Sequence, residues 1–328
     1  MSGEHRALFV SVSRVSTNAQ KKASVTRPYL AERVHQRWII DFKVDIHLKQ
    51  EGWVHLHTVR DPVGAYFPGA ELYPAAKKKS RVTEAHVRTT LRSSFARHGL
   101  PEEVQTDWEP CLNPQPGDNF PSLFTLWLVG LGIRHVQARP GRPTDDAEGE
   151  RGHRTIFDYA LAGQLDQPLD FLHQYLPVAL DDLNTKYPSR AHGCQGRPPV
   201  QAHPEILCPP RRFDPHQELA CFDLQRVDTF LASLSFDRKV GKTGQITLGK
   251  KGRRFGIGRQ NAGKVVQITF DPTNRYFVVS YQHKEIGRWK AKHLEVSDIV
   301  GFGPDTPCPI PQQLPLPLHF QEVCPIEQ

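Results

Sequence analysis

The sequence predicts an α/β layered body followed by a small, strongly basic all-β module. Three observations predict it. Between residues 36 and 187, stretches with a two-residue apolar period come first as three strands, and helix and strand then alternate. Between 245 and 289, five short strand-like runs, broken by glycines and by the turn Asp271-Pro272-Thr273-Asn274, suggest a small β-barrel. Charge is divided between the two parts. Phe236 to Leu294 holds 14 Lys and Arg against three acids, Asp237, Asp271 and Glu285, although the whole chain carries a net charge of only +7.

Residues 1 to 35 are polar, with scattered basic side chains and no sustained period, and read as a flexible arm. Arg37 to His47 alternates Ile40, Phe42, Val44 and Ile46 with Asp41, Lys43, Asp45 and His47, which is the pattern of a strand with Asp41 on its polar side. Trp53 to Arg60 and Ala65 to Tyr73 follow as strands on either side of the Asp61-Pro62-x-Gly64 turn. Thr83 to His98 repeats Val87, Leu91, Phe95 and His98 at helical spacing, and Gly99 is the stop. Glu103 to Thr106 is a short strand that delivers Asp107 at its carboxyl end. Phe120, Leu123, Phe124, Trp127, Leu128 and Leu131 form a helical stripe closed by Gly132, and Ile133 to Ala138 is strand again. After the Arg139 to Pro143 loop, Asp145 or Asp146 can cap a helix that runs to about Leu165. A last helix starts beyond Pro168 and carries Leu169, Leu172, Leu176, Leu180 and Leu183, with a kink expected at Pro177. Residues 201 to 234 read as a proline-containing linker, 235 to 300 as the barrel, and 301 to 328 as a proline-rich tail.

Composition excludes several classes. Hydrophobic residues make up 38% and charged residues 23% of the 328, which suits a soluble protein of two domains and tails. No run approaches the roughly 18 to 20 apolar residues of a membrane span, and Leu8 to Val15 is too short and polar for a signal segment. A cytoplasmic location with no membrane partner is the expectation. The six cysteines form no Cys-x-x-Cys pair, so neither a disulfide framework nor a zinc ribbon is encoded. The histidines follow no zinc-ligand spacing. The basic module instead points to a polyanion, because neutralising phosphates and releasing their counterions requires locally concentrated cations.

Three acids stand where chemistry could use them: Asp41 in the first strand, Asp107 after the fourth, and Glu150 early in a helix. If the first and fourth strands lie side by side, their carboxylates converge while the helix brings the third across. Oxygen ligands of this kind suit Mg²⁺, and two such ions can activate a hydroxyl and stabilise a leaving oxygen at a phosphodiester. Spacing alone is a weak argument among 35 acids.

The local sequences sharpen it. Trp38-Ile39-Ile40-Asp41-Phe42-Lys43, and then Phe95-Ala96-Arg97-His98-Gly99-Leu100-Pro101-Glu102 leading into Gln105-Thr106-Asp107, resemble the first two catalytic segments of retroviral-type integrases and bacterial insertion-sequence transposases. Trp127-Leu128 with Leu131-Gly132-Ile133 and His135 is similar to the segment that follows. Pro143 to Thr155, with Glu150-Arg151-Gly152-His153-Arg154-Thr155, is similar to the family's third catalytic helix. Leu183-Asn184, Tyr187, His192, Gly196 and Pro198 match the end of the core.

This resemblance implies an RNase H-like core over 36 to 200, a mixed five-stranded sheet flanked by helices, followed by an SH3-like DNA-binding barrel. It implies DNA strand cleavage and strand transfer with two Mg²⁺ or Mn²⁺ ions. Asp41 would bridge the ions, and Asp107 and Glu150 would each hold one. The implied partner is DNA, bound by a homo-oligomer on paired ends in the bacterial nucleoid, with no small-molecule substrate. Arg151 and Arg154 are expected at DNA phosphate near the scissile bond, and Arg253, Arg254, Lys290 and Lys292 at phosphate on the barrel. His153 is expected to orient groups at the metal site through hydrogen bonding. Two departures set an alternative, a catalytically impaired or domesticated DNA-binding remnant. Trp108 and Glu109 replace the small residue and Gly usual after the second Asp, and the arm carries no helix-turn-helix, as expected of a truncated or start-shifted reading frame.

Overall fold

Alternation in the first strand resolves into a sheet covered on both faces. In a computed structural model that describes residues 30–107, 109–113, 119–138, 147–249 and 253–302, β1 (Arg37–Leu48), β2 (Gly52–Arg60), β3 (Gly69–Pro74), β4 (Glu103–Thr106) and β5 (Arg134–Gln137) form one sheet in the order β3-β2-β1-β4-β5. The first three strands pair antiparallel, and β1, β4 and β5 pair parallel. This mixed five-stranded sheet flanked by helices fits the RNase H-like core. The expected arm up to residue 29, the tail from 303, and Trp108, Asp145 and Asp146 lie outside the described residues.

The chain divides into two units. The first gathers residues 25–111 and 133–218, and the second 112–132 and 219–307. In the first, α1 (Glu84–His98) is capped by Thr83, whose hydroxyl accepts from the His86 N–H, and it buries Val87, Leu91, Phe95 and His98, the residues its spacing singles out. Gly99 takes φ +71°, and a Cβ there would overlap the carbonyl oxygen of Arg211. Glycine is needed twice over, for the backbone conformation and for the close approach. On β2, His55 and His57 face the α1 side, where His57 stacks with Tyr73 and Tyr73 with His86. Val54 and Leu56 face the other way. There they join Ile46, Leu48 and Leu72 under Ile156 of α3 (Ala147–Ile156) and Leu172, Leu176 and Leu180 of α4 (Leu169–Thr185). Each such leucine contributes about 2–5 kcal/mol, the usual cost of truncating one in a packed core.

Two local features depart from the sequence reading. The single helix expected up to Leu165 changes at Phe157–Leu161 to a π-helical turn, an irregularity that an apolar period does not encode. The proline-rich stretch after Pro198 contains α5 (Pro199–Ala202), a 3₁₀ turn at Pro204–Leu207, another at Pro215–Gln217, and α6 (Glu218–Cys221). Within the first unit it is anchored by separate contacts. The Leu100 N–H donates to the Arg211 carbonyl at 2.8 Å, Phe213 packs edge-on to Phe95, and Arg92 pairs with Glu218 at 2.7 Å. Isolated anchors leave no repeat for a sequence pattern to show.

In the second unit, α2 (Leu123–Gly130), which lies between β4 and β5 in sequence, packs with α7 (Leu224–Ala232) and α8 (Val296–Val300). The strands are β6 (Phe236–Lys239), β7 (Gln245–Leu248), β8 (Arg253–Gly256), β9 (Val265–Asp271), β10 (Tyr276–Tyr281) and β11 (Lys284–Lys290). They form a four-stranded antiparallel sheet, β11-β10-β9-β6, and a separate β7-β8 ribbon. No closed barrel is found among the described residues. β6 escapes a periodicity argument because Phe236 is its one apolar side chain. Alternation elsewhere holds: Val266, Ile268 and Phe270 of β9 point inward, and Phe277 meets Phe270, Phe255 and Phe120 at ring-centroid distances of 5.3, 5.6 and 5.9 Å.

Candidate functional site

The register of β1 on β4 decides where the acids go. Ile40 lies opposite Thr106 in the parallel pair, so the next residues, Asp41 and Asp107, leave the ends of neighbouring strands side by side. The Asp41 side chain lies opposite in sense to Phe42, whose ring meets His57 on the α1 side of the sheet. It therefore faces α3, and His153 of that helix meets it. Asp41 is 8% exposed. One carboxylate oxygen accepts from the Phe42 N–H at 2.7 Å, and the other lies 3.1 Å from His153 Nδ1. Both oxygens are thus fixed in direction, as the sequence expectation for His153 requires.

Asp107 is exposed, just past the end of β4. Glu109, two residues on, is half-buried. Its carboxyl is pushed above the usual range by burial first and then by the negative charges of Asp107 and Asp41. Sequence reasoning noted Glu109 only as a departure from a family pattern. Its proximity to both aspartates depends on the path taken after β4 and is not visible in spacing.

Glu150 is exposed on α3, three residues before His153 and on the same side of the helix. Glu150, His153 and Arg154 line a cleft of about 610 Å³ together with Lys43, Asp45 and His47 of β1 and Asp158 of the π-helical turn. Lys43 Nζ lies 3.2 Å from Asp45 and 5.8 Å from the centre of the Phe157 ring. The signal for Lys43 was present in the sequence, since it stands two residues beyond Asp41 on the same face of the strand. Arg151 and Arg154 are both exposed on α3. Among the described residues no group of three or more His, Cys, Asp or Glu side chains is close enough to hold a metal ion. The fold sets Asp41 beside Asp107 and brings the helix of Glu150 against Asp41, without gathering the three into a finished cage.

In the second unit, Arg254, Lys290 and Lys292 are exposed. Arg253 is not: it is 4% exposed, its guanidinium donates to the carbonyls of Lys292 and His293 at 3.0 and 3.1 Å, and it lies 4.9 Å over the Phe120 ring. Strand alternation turns neighbours to opposite faces, so two adjacent arginines that look alike in sequence take different roles. Trp289 is partly buried, with its ring folded over Gly287. No helix among the described residues is long and apolar enough to cross a membrane.

No family model matches the chain, and no curated protein is similar to it. Solved structures that are similar are retroviral integrases. The catalytic core domain of HTLV-2 integrase in complex with magnesium is 19% identical, covering 52% of this chain and 97% of that chain at a TM-score of 0.38. The catalytic core domain of BIV integrase is 20% identical, covering 52% and 95% at 0.38. A chain of the simian T-cell lymphotropic virus intasome in complex with PP2A regulatory subunit B56 gamma is 18% identical, covering 77% and 81% at 0.42.

Proposed function

We propose that this chain is a DNA polynucleotidyl transferase of the integrase and transposase kind, with Asp41, Asp107 and Glu150 as the carboxylates that hold two divalent ions. The observation that carries the reading is the rung after Ile40 and Thr106, where parallel strands end in two aspartates against the helix of Glu150. The donor set suits the ions. Carboxylate oxygens match Mg²⁺ or Mn²⁺, and a buried ring nitrogen, His153 Nε2, has no hydrogen-bond partner among the described residues. When bound, such ions supply Lewis acidity to an attacking hydroxyl and to the leaving oxygen of a phosphodiester. The chain's own part is placement. His153 and the Phe42 N–H fix the direction of the Asp41 carboxylate, and Lys43, Arg151 and Arg154 supply positive charge for backbone phosphate. Arg254, Lys290 and Lys292 extend that electrostatic contact on the second unit, which we read as the SH3-like DNA-binding module. Family resemblance supports a homo-oligomer acting on paired DNA ends in the nucleoid.

A non-catalytic DNA-binding remnant is the second reading. It is favoured by Glu109, whose carboxyl crowds Asp107 and Asp41 where the related enzymes have small residues. Supercoiled plasmid incubated with the full chain and Mg²⁺ or Mn²⁺ separates the two. Strand transfer predicts nicking and joining to 3′-hydroxyl ends, reduced on the order of 100-fold or more by Asp41→Asn, Asp107→Asn or Glu150→Gln. Activity that survives all three substitutions refutes the carboxylate assignment. Salt-sensitive DNA binding without cleavage establishes the remnant.

A further inference from the structure

The Asp41–His153 pair contains an atom that three carboxylates leave unexplained. His153 is 8% exposed, its Nδ1 lies 3.1 Å from Asp41 Oδ2, and its Nε2 is buried with no hydrogen-bond partner among the described residues. An ionised carboxylate only accepts, so the contact to Asp41 places hydrogen on Nδ1. A neutral imidazole then carries a bare lone pair at Nε2. Burying that lone pair without a partner is unfavourable, which is reason to ask what it is kept for. A ring N–H given to a carboxylate with the opposite nitrogen left bare is the arrangement by which proteins aim a histidine at a metal. A second donor stands one turn away. Glu150 shares the helix side and the cleft with His153, and a Glu-x-x-His pair on one helix can offer an oxygen and a nitrogen to the same ion.

Resting on the metal-dependent reading above, we propose that His153 Nε2 is a nitrogen ligand of a divalent ion shared with Glu150, with Asp41 holding the imidazole in the ligating tautomer. The consequence is selectivity. An imidazole beside carboxylates favours borderline ions such as Mn²⁺, whereas an all-oxygen set suits Mg²⁺. The site's remaining positions stay open to water or to a phosphate oxygen of DNA.

The test uses the full chain with Mn²⁺ alone, followed by electron spin-echo modulation and by titration against Mg²⁺, and so needs no enzymatic turnover. Bound Mn²⁺ should show ¹⁴N modulation from a directly coordinated imidazole. His153→Asn keeps an amide donor for Asp41 but lacks the distal nitrogen. It should remove the modulation and weaken Mn²⁺ about tenfold, with Mg²⁺ affinity changed less than about twofold on the argument of ligand softness. His153→Gln, closer in volume, gives the same comparison should the Asn variant fail to fold. Mn²⁺ that binds without nitrogen coupling, or coupling that survives both substitutions, overturns the assignment of His153 and leaves the carboxylate reading standing. A chain that binds no Mn²⁺ overturns both.

Discussion

Changing Glu103 to Gln tests the register on which the aspartate pair depends. Arg37, Glu103 and Arg134 occupy one rung across β1, β4 and β5, at the end of the parallel strands opposite to Asp41 and Asp107. The Arg37 Nε and a terminal guanidinium nitrogen approach Glu103 at 2.7 and 2.6 Å, and Arg134 pairs with the other carboxylate oxygen. The Arg37 and Glu103 side chains are only 5% and 3% exposed. Burial pulls both arginines below their ordinary pKa, the direction expected of cations taken from water. Removing the anion leaves two guanidinium groups facing each other with one of them buried, and breaking a buried pair costs about 3–5 kcal/mol. Gln retains one acceptor oxygen, so the lower end, about 3 kcal/mol, is the expectation. For a unit of this size that lowers the melting temperature by roughly 6–12 °C. Urea unfolding followed by circular dichroism measures it directly. A loss below about 1 kcal/mol, the level of a surface pair, would refute the claim that this triad pins the strands.

Other expectations concern pH, packing and DNA. Burial lowers His98 and His135 to about 3. The stability they contribute as neutral rings is fully present above about pH 6.5 and is lost as pH falls toward 3. Asp61 works the other way: burial raises it to about 6, so its ionisation disfavours the native state increasingly as pH rises from about 4 to 6. Two histidines outweigh one carboxyl, so the urea midpoint should fall between pH 7 and pH 5, and a rise over that range would contradict the balance. Gly130→Ala ordinarily favours a helix by about 1 kcal/mol, but the added Cβ overlaps the buried Phe222 ring. The net effect should be a loss of about 1–3 kcal/mol in thermal unfolding, relieved when Phe222→Leu is combined with it. Arg254→Ala, Lys290→Ala and Lys292→Ala should each reduce the slope of log affinity for DNA against log salt by about 1. Arg253→Ala should leave that slope unchanged and destabilise the second unit by about 2–3 kcal/mol, having lost two bonds to carbonyls and a ring contact.

The sequence by itself determined the local elements and the chemistry they carry. Alternation in Arg37 to His47 and the spacing of Val87, Leu91, Phe95 and His98 are properties of contiguous residues, and burial of one face makes them visible as periods of two and of 3.6. The acids, the basic stretch from Phe236 to Leu294 and the expectation for His153 were legible for the same reason. Segments without a period were not: β6 with its single Phe236, the π-helical turn after Ile156, and the anchors at Arg211, Phe213 and Glu218 each depend on partners far away in sequence. Only the tertiary structure set Ile40 opposite Thr106 and thereby Asp41 beside Asp107. It also turned Arg253 inward and Arg254 outward, brought Glu109 within reach of both aspartates, and left His153 Nε2 buried and bare against Asp41. Register and burial arise from contacts between residues tens of positions apart, and no window along the chain contains both members of such a pair.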